Sequence, residues 1–150
     1  MSAQAYAHLQ KNQQAYLTQQ ILTATPEQIL ILLYDGAIQA IKQAKLALQK
    51  QPQDIMASHN NLKRAQNIIM EFMNTLDFEI GGDVATRLYA LYEYLYMRLV
   101  HANIKKDIDA LNEVLAHMQQ LKETWQEAMK IAARERLQEA RFEEPQAISA

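Results

Sequence analysis

Apolar residues recur every three or four positions along most of this chain, which is the spacing of one face of an α-helix. The pattern is most regular from Asp54 to Phe78 and again after Asp107. It predicts two amphipathic helices whose apolar faces need partners. The apolar positions are Ile55, Leu62, Ala65, Ile69, Phe72 and Leu76 in the first helix, and Ile108, Leu111, Leu115, Met118, Leu121, Trp125, Ala128 and Ala132 in the second.

Another helix is predicted from Pro26 to about Lys50, because its start carries cap chemistry. Thr25 can cap the amino end, and Pro26 occupies the first helical position, where no N–H group is needed. Gln28 completes a capping box with Thr25. Pro52 marks the break after this helix.

A fourth helix is predicted after the Gly81-Gly82 pair, which breaks the periodic pattern. Asp83 caps this helix, and the helix runs to about Lys105. The last helix then starts at Asp107 or Asp109, since either side chain can serve as its cap. Four amphipathic helices with short connections predict an all-α fold, an antiparallel up-down-up-down four-helix bundle.

The bundle accounts for residues 23–136. Residues 1–22 are polar with scattered apolar positions, and short isolated helices are marginal in water, so we expect a mobile N-terminal arm or an additional short helix there. The periodic pattern ends after Arg136. Residues 137–150 are therefore predicted to form a disordered tail.

Composition narrows the class of protein further. The 150 residues suit one domain, and 49% of them are hydrophobic, which is enough for a core. A net charge of −2 argues against nucleic-acid binding. The chain has no cysteine, no signal-peptide pattern at its start and no apolar run long enough to span a bilayer. We expect a cytoplasmic protein that does not insert into membranes.

Catalytic chemistry is not predicted. A metal pair in a bundle would use Glu-x-x-His motifs, and none occurs. Glu113 and His117 come nearest and read as a surface pair. No phosphate-binding glycine loop is present. The sequence therefore predicts neither an enzyme nor a metal or cofactor site.

Two helices carry more apolar surface than a bundle helix needs. The surplus forms a second stripe beside the first, and it is either additional core or a groove for another amphipathic segment. In the helix that starts at Pro26, one stripe is Ile29, Leu32, Leu33, Gly36, Ala40 and Ala47, and the other is Leu30, Tyr34, Ile38, Ile41 and Leu48. In the helix that follows the glycine pair, one stripe is Val84, Leu88, Leu91, Leu95 and Leu99, and the other is Tyr89, Tyr92, Tyr96 and Val100.

Four sequence blocks resemble the FliS family of flagellar secretion chaperones. The first runs from Thr23 to Ala37 and contains the Thr-Pro-Glu-Gln cap followed by Ile-Leu-Ile-Leu-Leu-Tyr-Asp-Gly. The second is Lys-Arg-Ala-Gln-Asn-Ile-Ile at 63–69, and the third is the tyrosine-rich run at 91–107. Trp125 and its surroundings form the fourth. Together the blocks cover residues 16–132.

The resemblance implies a cytoplasmic export chaperone for flagellin. Such a chaperone binds the disordered C-terminal segment of flagellin, prevents premature polymerisation and keeps the cargo competent for type III secretion. The family also uses its N-terminal segment as a movable cover over the groove, here Tyr16, Ile21 and Leu22. A tyrosine at the position of Tyr16 is implicated in docking to a component of the export gate.

With a guest polypeptide implied, the second stripe becomes the candidate groove. The resemblance and the periodicity together nominate eight positions on three helices: Leu30, Tyr34, Ile38, Met70, Met73, Tyr89, Tyr92 and Tyr96.

Two other functions remain open on the residues alone. One is a self-associating helical-bundle interaction protein with no flagellin cargo, whose second stripe is a homodimer interface. The other is a metal-dependent bundle enzyme, which the missing Glu-x-x-His motif disfavours. A homodimer formed by exchange of the N-terminal arm is compatible with chaperone function.

Overall fold

The computed structural model describes residues 4–5, 14–16, 18–20 and 22–143. All regular structure within these ranges is helical, including the short pieces that precede Ala24. Four long helices follow: α1 is Pro26–Gln49, α2 is Ile55–Thr75, α3 is Phe78–Lys105 and α4 is Ile108–Glu143.

Each long helix packs against two others. Helices α1 and α3 both contact α2 and α4, so the four form a closed ring. Short connections join successive helices, and neighbours therefore run antiparallel. The predicted four-helix bundle is confirmed.

The amino end of α1 has the predicted capping box. The Gln28 backbone N–H donates to Thr25 Oγ1 at 3.2 Å, and the Thr25 N–H donates to Gln28 Oε1 at 3.0 Å. Both groups would otherwise lack a helical partner. The start of α1 at Pro26 is thereby confirmed.

The corner between α2 and α3 differs from the prediction. Helix α2 ends at Thr75, and Asp77, not Asp83, caps α3, because Asp77 Oδ1 accepts from the N–H groups of Glu79 and Ile80. The glycine pair lies inside α3. Gly82 has φ 49° and ψ −125°, a left-handed value that glycine adopts without a Cβ penalty, and it kinks the helix there.

Helix α4 begins where expected and ends later. Asp107 Oδ1 accepts from the Ala110 N–H at 3.2 Å, which selects Asp107 over Asp109 as the cap. The helix continues to Glu143, so residues 137–143 are helical and not the predicted tail. Alanine, arginine, leucine, glutamine and glutamate dominate this stretch, and all favour helix without needing burial. Residues 144–150 lie outside the described residues.

A group of aromatic side chains joins all four helices in the core. Tyr34 of α1 and Tyr92 of α3 place their hydroxyl oxygens 2.5 Å apart, and Trp125 Nε1 of α4 donates to the Tyr34 hydroxyl at 3.1 Å. The Phe72 ring of α2 stacks on Tyr34 with centroids 4.5 Å apart and meets Tyr92 at 5.4 Å. Burial raises the pKa of both tyrosines, so the hydroxyls stay protonated and able to donate.

We expect Tyr34→Phe to destabilise the bundle more than Tyr92→Phe. The first change removes the hydroxyl that both the Tyr92 hydroxyl and the Trp125 indole N–H contact, a loss of about 1–3 kcal/mol. The second leaves the Tyr34–Trp125 bond intact, and we expect a loss of about 1 kcal/mol. Urea unfolding followed by circular dichroism measures both. Equal losses in the two variants would show that the hydrogen bond from Trp125 to Tyr34 does not stabilise the fold.

The cap of α4 predicts a pH dependence of stability. The Ala110 N–H and, to a smaller degree, the hydrogen bond with His101 hold the pKa of Asp107 below its usual value. A lowered folded-state pKa stabilises the fold above the unfolded value of about 3.9, and that contribution is lost as pH falls through the folded pKa.

Asp107→Asn keeps a cap acceptor and removes the charge. We expect the wild type to be more stable than this variant at neutral pH, with the difference closing as pH falls below about 4. Urea unfolding across this pH range measures it. Asp109→Asn is the matched control, since the structure gives the Asp109 side chain no hydrogen bond within the described residues. A difference independent of pH would contradict the proposed role of the charge.

Candidate functional site

Four of the eight predicted groove side chains lie in the core. Tyr34 and Tyr92 are 0% and 2% exposed, and Ile38 and Met73 are each 8% exposed. Such side chains offer a guest little or no surface while the bundle is closed. The structure therefore corrects these four positions from groove to core.

The correction has a packing reason. Helix α1 lies between α2 and α4, so it buries an arc wide enough to take Tyr34 and Ile38. The neighbouring stripe, predicted as interior, turns partly outward: Ile29, Leu32 and Leu33 are only half-buried. Periodicity identified two stripes, and the placement of the neighbouring helices determined which positions of each stripe are inside.

Leu30, a predicted groove residue that remains accessible, lies in an open apolar groove between α1 and α4. The groove consists of two adjacent clefts of about 350 and 490 Å³, which share the lining residues Glu27 and Met129. We call it the α1–α4 groove. The first cleft is lined by Pro26, Glu27, Leu30, Trp125, Ala128, Met129, Ala132 and Arg136, and the second by Gln20, Thr23, Ala24, Glu27, Gln28, Ile31, Leu32 and Met129.

The sequence on both sides explains why this groove exists. The five consecutive aliphatic residues 29–33 point around the whole circumference of α1, at about 100° per residue, so the core cannot take all of them. All five are half-buried. Opposite them, α4 presents the small side chains of Ala128 and Ala132, which leave a furrow. Glu27 and Arg136 place one charge of each sign at its rim.

Described residues at the end of the N-terminal arm and just after it border the larger cleft. Gln20, Thr23 and Ala24 form one wall of the larger cleft. Tyr16 and Leu22, predicted as parts of a cover, are 70% and 79% exposed and do not pack on the bundle. Ile21, the third residue of that prediction, lies outside the described residues. The role of the arm as a movable cover stays a prediction.

The remaining accessible candidates mark a second apolar face, where α2 meets α3. Asn103 Nδ2 and His59 Nδ1 are 2.9 Å apart and join the two helices there. Residues seven or eleven positions apart lie on the same face of a helix. Met70, eleven positions after His59, therefore shares its face of α2. Tyr96 and Tyr89, seven and fourteen positions before Asn103, share its face of α3. Met70 and Tyr89 are exposed and Tyr96 is half-buried. We call this the α2–α3 face.

Phe78 extends the α2–α3 face towards the start of α3. Its ring meets Tyr89 with centroids 5.9 Å apart, and about half of its surface is exposed. The face is thus an exposed aromatic and thioether surface, suited to adaptable apolar contact.

Sequence reasoning missed part of the groove lining. Ile31, Leu32, Trp125 and Met129 line the clefts, yet the periodic pattern assigned Leu32 and Trp125 to interior stripes. The unbroken aliphatic run at 29–33 was the available signal, since it exceeds what one helix face can bury. The position of Met129 opposite that run depends on how α4 is aligned with α1.

The polar side chains on α3 and α4 form a closed ion-pair cluster. Arg98 Nε is 2.9 Å from Glu113 Oε2, and the Tyr94 hydroxyl donates to the other carboxylate oxygen. This hydrogen bond, with help from Arg98, holds the pKa of Glu113 below its usual value. Glu113, predicted to pair with His117 at the surface, therefore has Tyr94 and Arg98 as its hydrogen-bond partners. The cluster links α3 to α4, and each of its three side chains has a partner within it.

The described residues offer apolar surfaces in the α1–α4 groove and on the α2–α3 face. Among residues 22–143 and the shorter described pieces, no three His, Asp or Glu side chains converge on a position that could hold a metal ion. None of their helices combines the length and the hydropathy needed to cross a bilayer.

Comparison with known proteins agrees with this picture. A family model described as Flagellar protein FliS matches residues 8–132. The flagellar secretion chaperone FliS of Bacillus subtilis is 34% identical over 122 residues, covering 81% of this chain and 89% of the relative. The FliS protein of Salmonella typhimurium is 36% identical over 108 residues (71% and 78%), and that of Campylobacter jejuni is 34% identical over 113 residues (75% and 87%). The resemblance drawn from the four sequence blocks is confirmed.

Proposed function

Since the chain belongs to the FliS family, we propose that it binds the disordered C-terminal segment of flagellin in the cytoplasm and prevents premature polymerisation of that cargo. Membership of the family makes it a flagellar secretion chaperone and not an enzyme. The observation that carries the choice of cargo is the α1–α4 groove, an apolar furrow left open along the bundle.

The groove suits an amphipathic guest segment. Such a segment lays side chains at helical spacing into a furrow of this kind. Each fully buried aliphatic side chain contributes about 1.5–3 kcal/mol. A few such anchors offset the roughly 2–5 kcal/mol needed to order a disordered segment.

The second apolar surface favours a disordered guest over a folded one. In the ring of four helices, the α1–α4 groove and the α2–α3 face lie on opposite sides. A compact partner reaches one of them, whereas an extended chain can wrap around the bundle and use both. We infer that the flagellin segment occupies the groove near Leu30 and continues to Met70, Tyr89 and Tyr96.

The N-terminal arm provides the contact with the export apparatus in this proposal. The exposed ring of Tyr16 is free to dock on a component of the export gate. Leu22 and Ile21 lie next to the wall of the larger cleft in sequence, so a shift of the arm would bring them over the groove. Cargo binding then displaces the cover and keeps flagellin ready for secretion.

Truncating Leu30 tests the groove. We expect Leu30→Ser to weaken binding of the flagellin C-terminal segment roughly 10- to 100-fold, the equivalent of one lost aliphatic anchor. Leu46→Ser is the matched control, because Leu46 lies on the same helix, is 54% exposed and lines neither cleft. Titration calorimetry measures both affinities.

A second variant separates groove loss from misfolding. Ala128 is exposed on the wall of the groove, so Ala128→Glu blocks the furrow without removing a core side chain. We expect it to weaken binding while the thermal midpoint stays close to that of the wild type. If Leu30→Ser and Ala128→Glu both bind the segment with undiminished affinity, the cargo does not bind in this groove.

Coupled folding of the cargo predicts a calorimetric signature. Binding should show a large negative heat-capacity change and one-to-one stoichiometry, because apolar surface is buried as the segment orders. Flagellin without its C-terminal segment should not bind. Undiminished affinity for that truncated cargo would refute the proposal, and a dimer that persists unchanged when full-length flagellin is added would favour the self-associating bundle.

A further inference from the structure

The first turn of α3 is separated from the rest of the helix by a non-helical joint at each end. Before this turn, Leu76 and Asp77 have extended backbone angles, with ψ of 132° and 103°. After it, Gly82 has φ 49° and ψ −125°. We call residues 78–81, which lie between the two joints, the strap, and residues 83–105 the shaft of α3.

Two adjacent glycines permit this arrangement for different reasons. The left-handed φ of Gly82 is strained for a residue with a Cβ, whereas a Cβ there would meet no atom within 4 Å, so the requirement is one of backbone conformation alone. At Gly81 the reason is steric, because a Cβ would lie 2.7 Å from the Cβ of Ala85 on the shaft. The strap therefore lies against the shaft at a distance that suits glycine.

The kink brings the ring of Phe78 onto the ring of Tyr89. Their centroids are 5.9 Å apart, and the ring planes are tilted by 58°. In an uninterrupted helix these residues, eleven positions apart, would be separated by about 16 Å along the axis. Side chains of that kind lean towards the start of the helix, so the two rings could not meet across this distance. The contact between Phe78 and Tyr89 depends on the kink.

The strap buries little of its own surface. The side chains of Phe78, Glu79 and Ile80 are all exposed, and Ile80 is 87% exposed. The hydrogen bonds that the Asp77 carboxylate accepts from Glu79 and Ile80 lie within this first turn and do not tie it to the shaft. A segment with so little buried surface can turn between its joints at a small cost in free energy.

The ring of Phe78 lies on the α2–α3 face, the surface that the proposed function assigns to part of the guest segment. It contacts Tyr89, which is one of the residues that define this face. The contact also shows what chemistry fits there, because a flat apolar side chain already packs against Tyr89 in the protein itself. Phe78 and a guest side chain would compete for the same ring.

We propose that the strap is an autoinhibitory element, which turns about its two joints so that an aromatic or large aliphatic side chain of the guest replaces Phe78 on Tyr89. The inference rests on the proposed binding of the C-terminal segment of flagellin and adds a conformational step to it. In the free protein Phe78 covers part of Tyr89, and in the complex the strap has moved aside.

The rest of the α2–α3 face favours the guest in this exchange. Met70 is exposed and Tyr96 is half-buried, so apolar surface continues beyond Tyr89. Phe78 offers one ring to this surface, whereas an extended guest can contact Tyr89 and these neighbours together. The larger apolar area buried by the guest shifts the equilibrium towards the open strap.

Distances between spin labels test whether the strap moves. The chain has no cysteine, so Ile80→Cys with Met97→Cys provides two unique labelling sites, one on the strap and one exposed on the shaft. We expect the flagellin C-terminal segment to shift the distance distribution of this pair by about 5 Å, the length of one helical turn. Val84→Cys with Met97→Cys is the matched control, because both sites lie on the shaft, and its distances should stay unchanged.

Two substitutions that release the strap test its inhibitory role. Phe78→Ala removes the ring that covers Tyr89, and Gly82→Ala disfavours the kinked backbone without a steric clash. We expect each to raise the affinity for the flagellin segment about three- to tenfold, the equivalent of one aromatic pair, as measured by titration calorimetry. Their effects should not add, since both act on one contact. Ile80→Ala is the matched control, because it truncates another exposed side chain of the strap and should leave the affinity unchanged.

The outcomes distinguish this inference from the proposed function. If the segment binds the wild type while the strap distances and the affinity of Phe78→Ala stay unchanged, the autoinhibitory role alone is wrong. If Phe78→Ala weakens binding, Phe78 contacts the cargo directly and that role is again wrong. No binding of the segment to the wild type would refute the proposed function and this step together. Circular dichroism checks that every variant is folded.

Discussion

The hydroxyl group of Tyr34 is the point where the helices of this bundle are tied together. It accepts from Trp125 of α4 and lies within hydrogen-bonding distance of the Tyr92 hydroxyl of α3, while its ring stacks on Phe72 of α2. A buried polar group needs its partners in place, so these bonds permit one alignment of the helices and disfavour others. The level of α4 relative to α1 follows from this contact.

The alignment at Tyr34 also positions the groove. Leu30 lies one turn before Tyr34 on α1, and Trp125, which holds the Tyr34 hydroxyl, lines the groove with its accessible side. The same pairing brings Ala128 and Ala132 opposite the aliphatic run of α1, and their small side chains leave the furrow open. The core and the α1–α4 groove thus depend on the same contact between α1 and α4.

Much of the architecture was predictable because it depends on local chemistry. The capping box at Thr25 and the cap at Asp107 form hydrogen bonds to backbone groups a few residues away. A short stretch of sequence is therefore enough to predict both caps. The α2–α3 corner was predicted less well, since Asp77 and Asp83 are both competent caps and only the chain path selects between them. The length of α4 was underestimated because an exposed helix leaves no apolar period in the sequence.

The sequence by itself determined that four helices form, where α1 begins and that two of the helices carry more apolar surface than one core contact uses. Only the tertiary structure decided which positions of the two stripes are buried, because adjacent stripes differ by one position on a helix and both are apolar. Tyr34 and Ile38 went inside because α1 has neighbours on both flanks, and the run at 29–33 stayed partly open because alanines face it. The periodic pattern in a sequence describes each helix separately, whereas the burial of a residue depends on the side chains that the neighbouring helices pack against it.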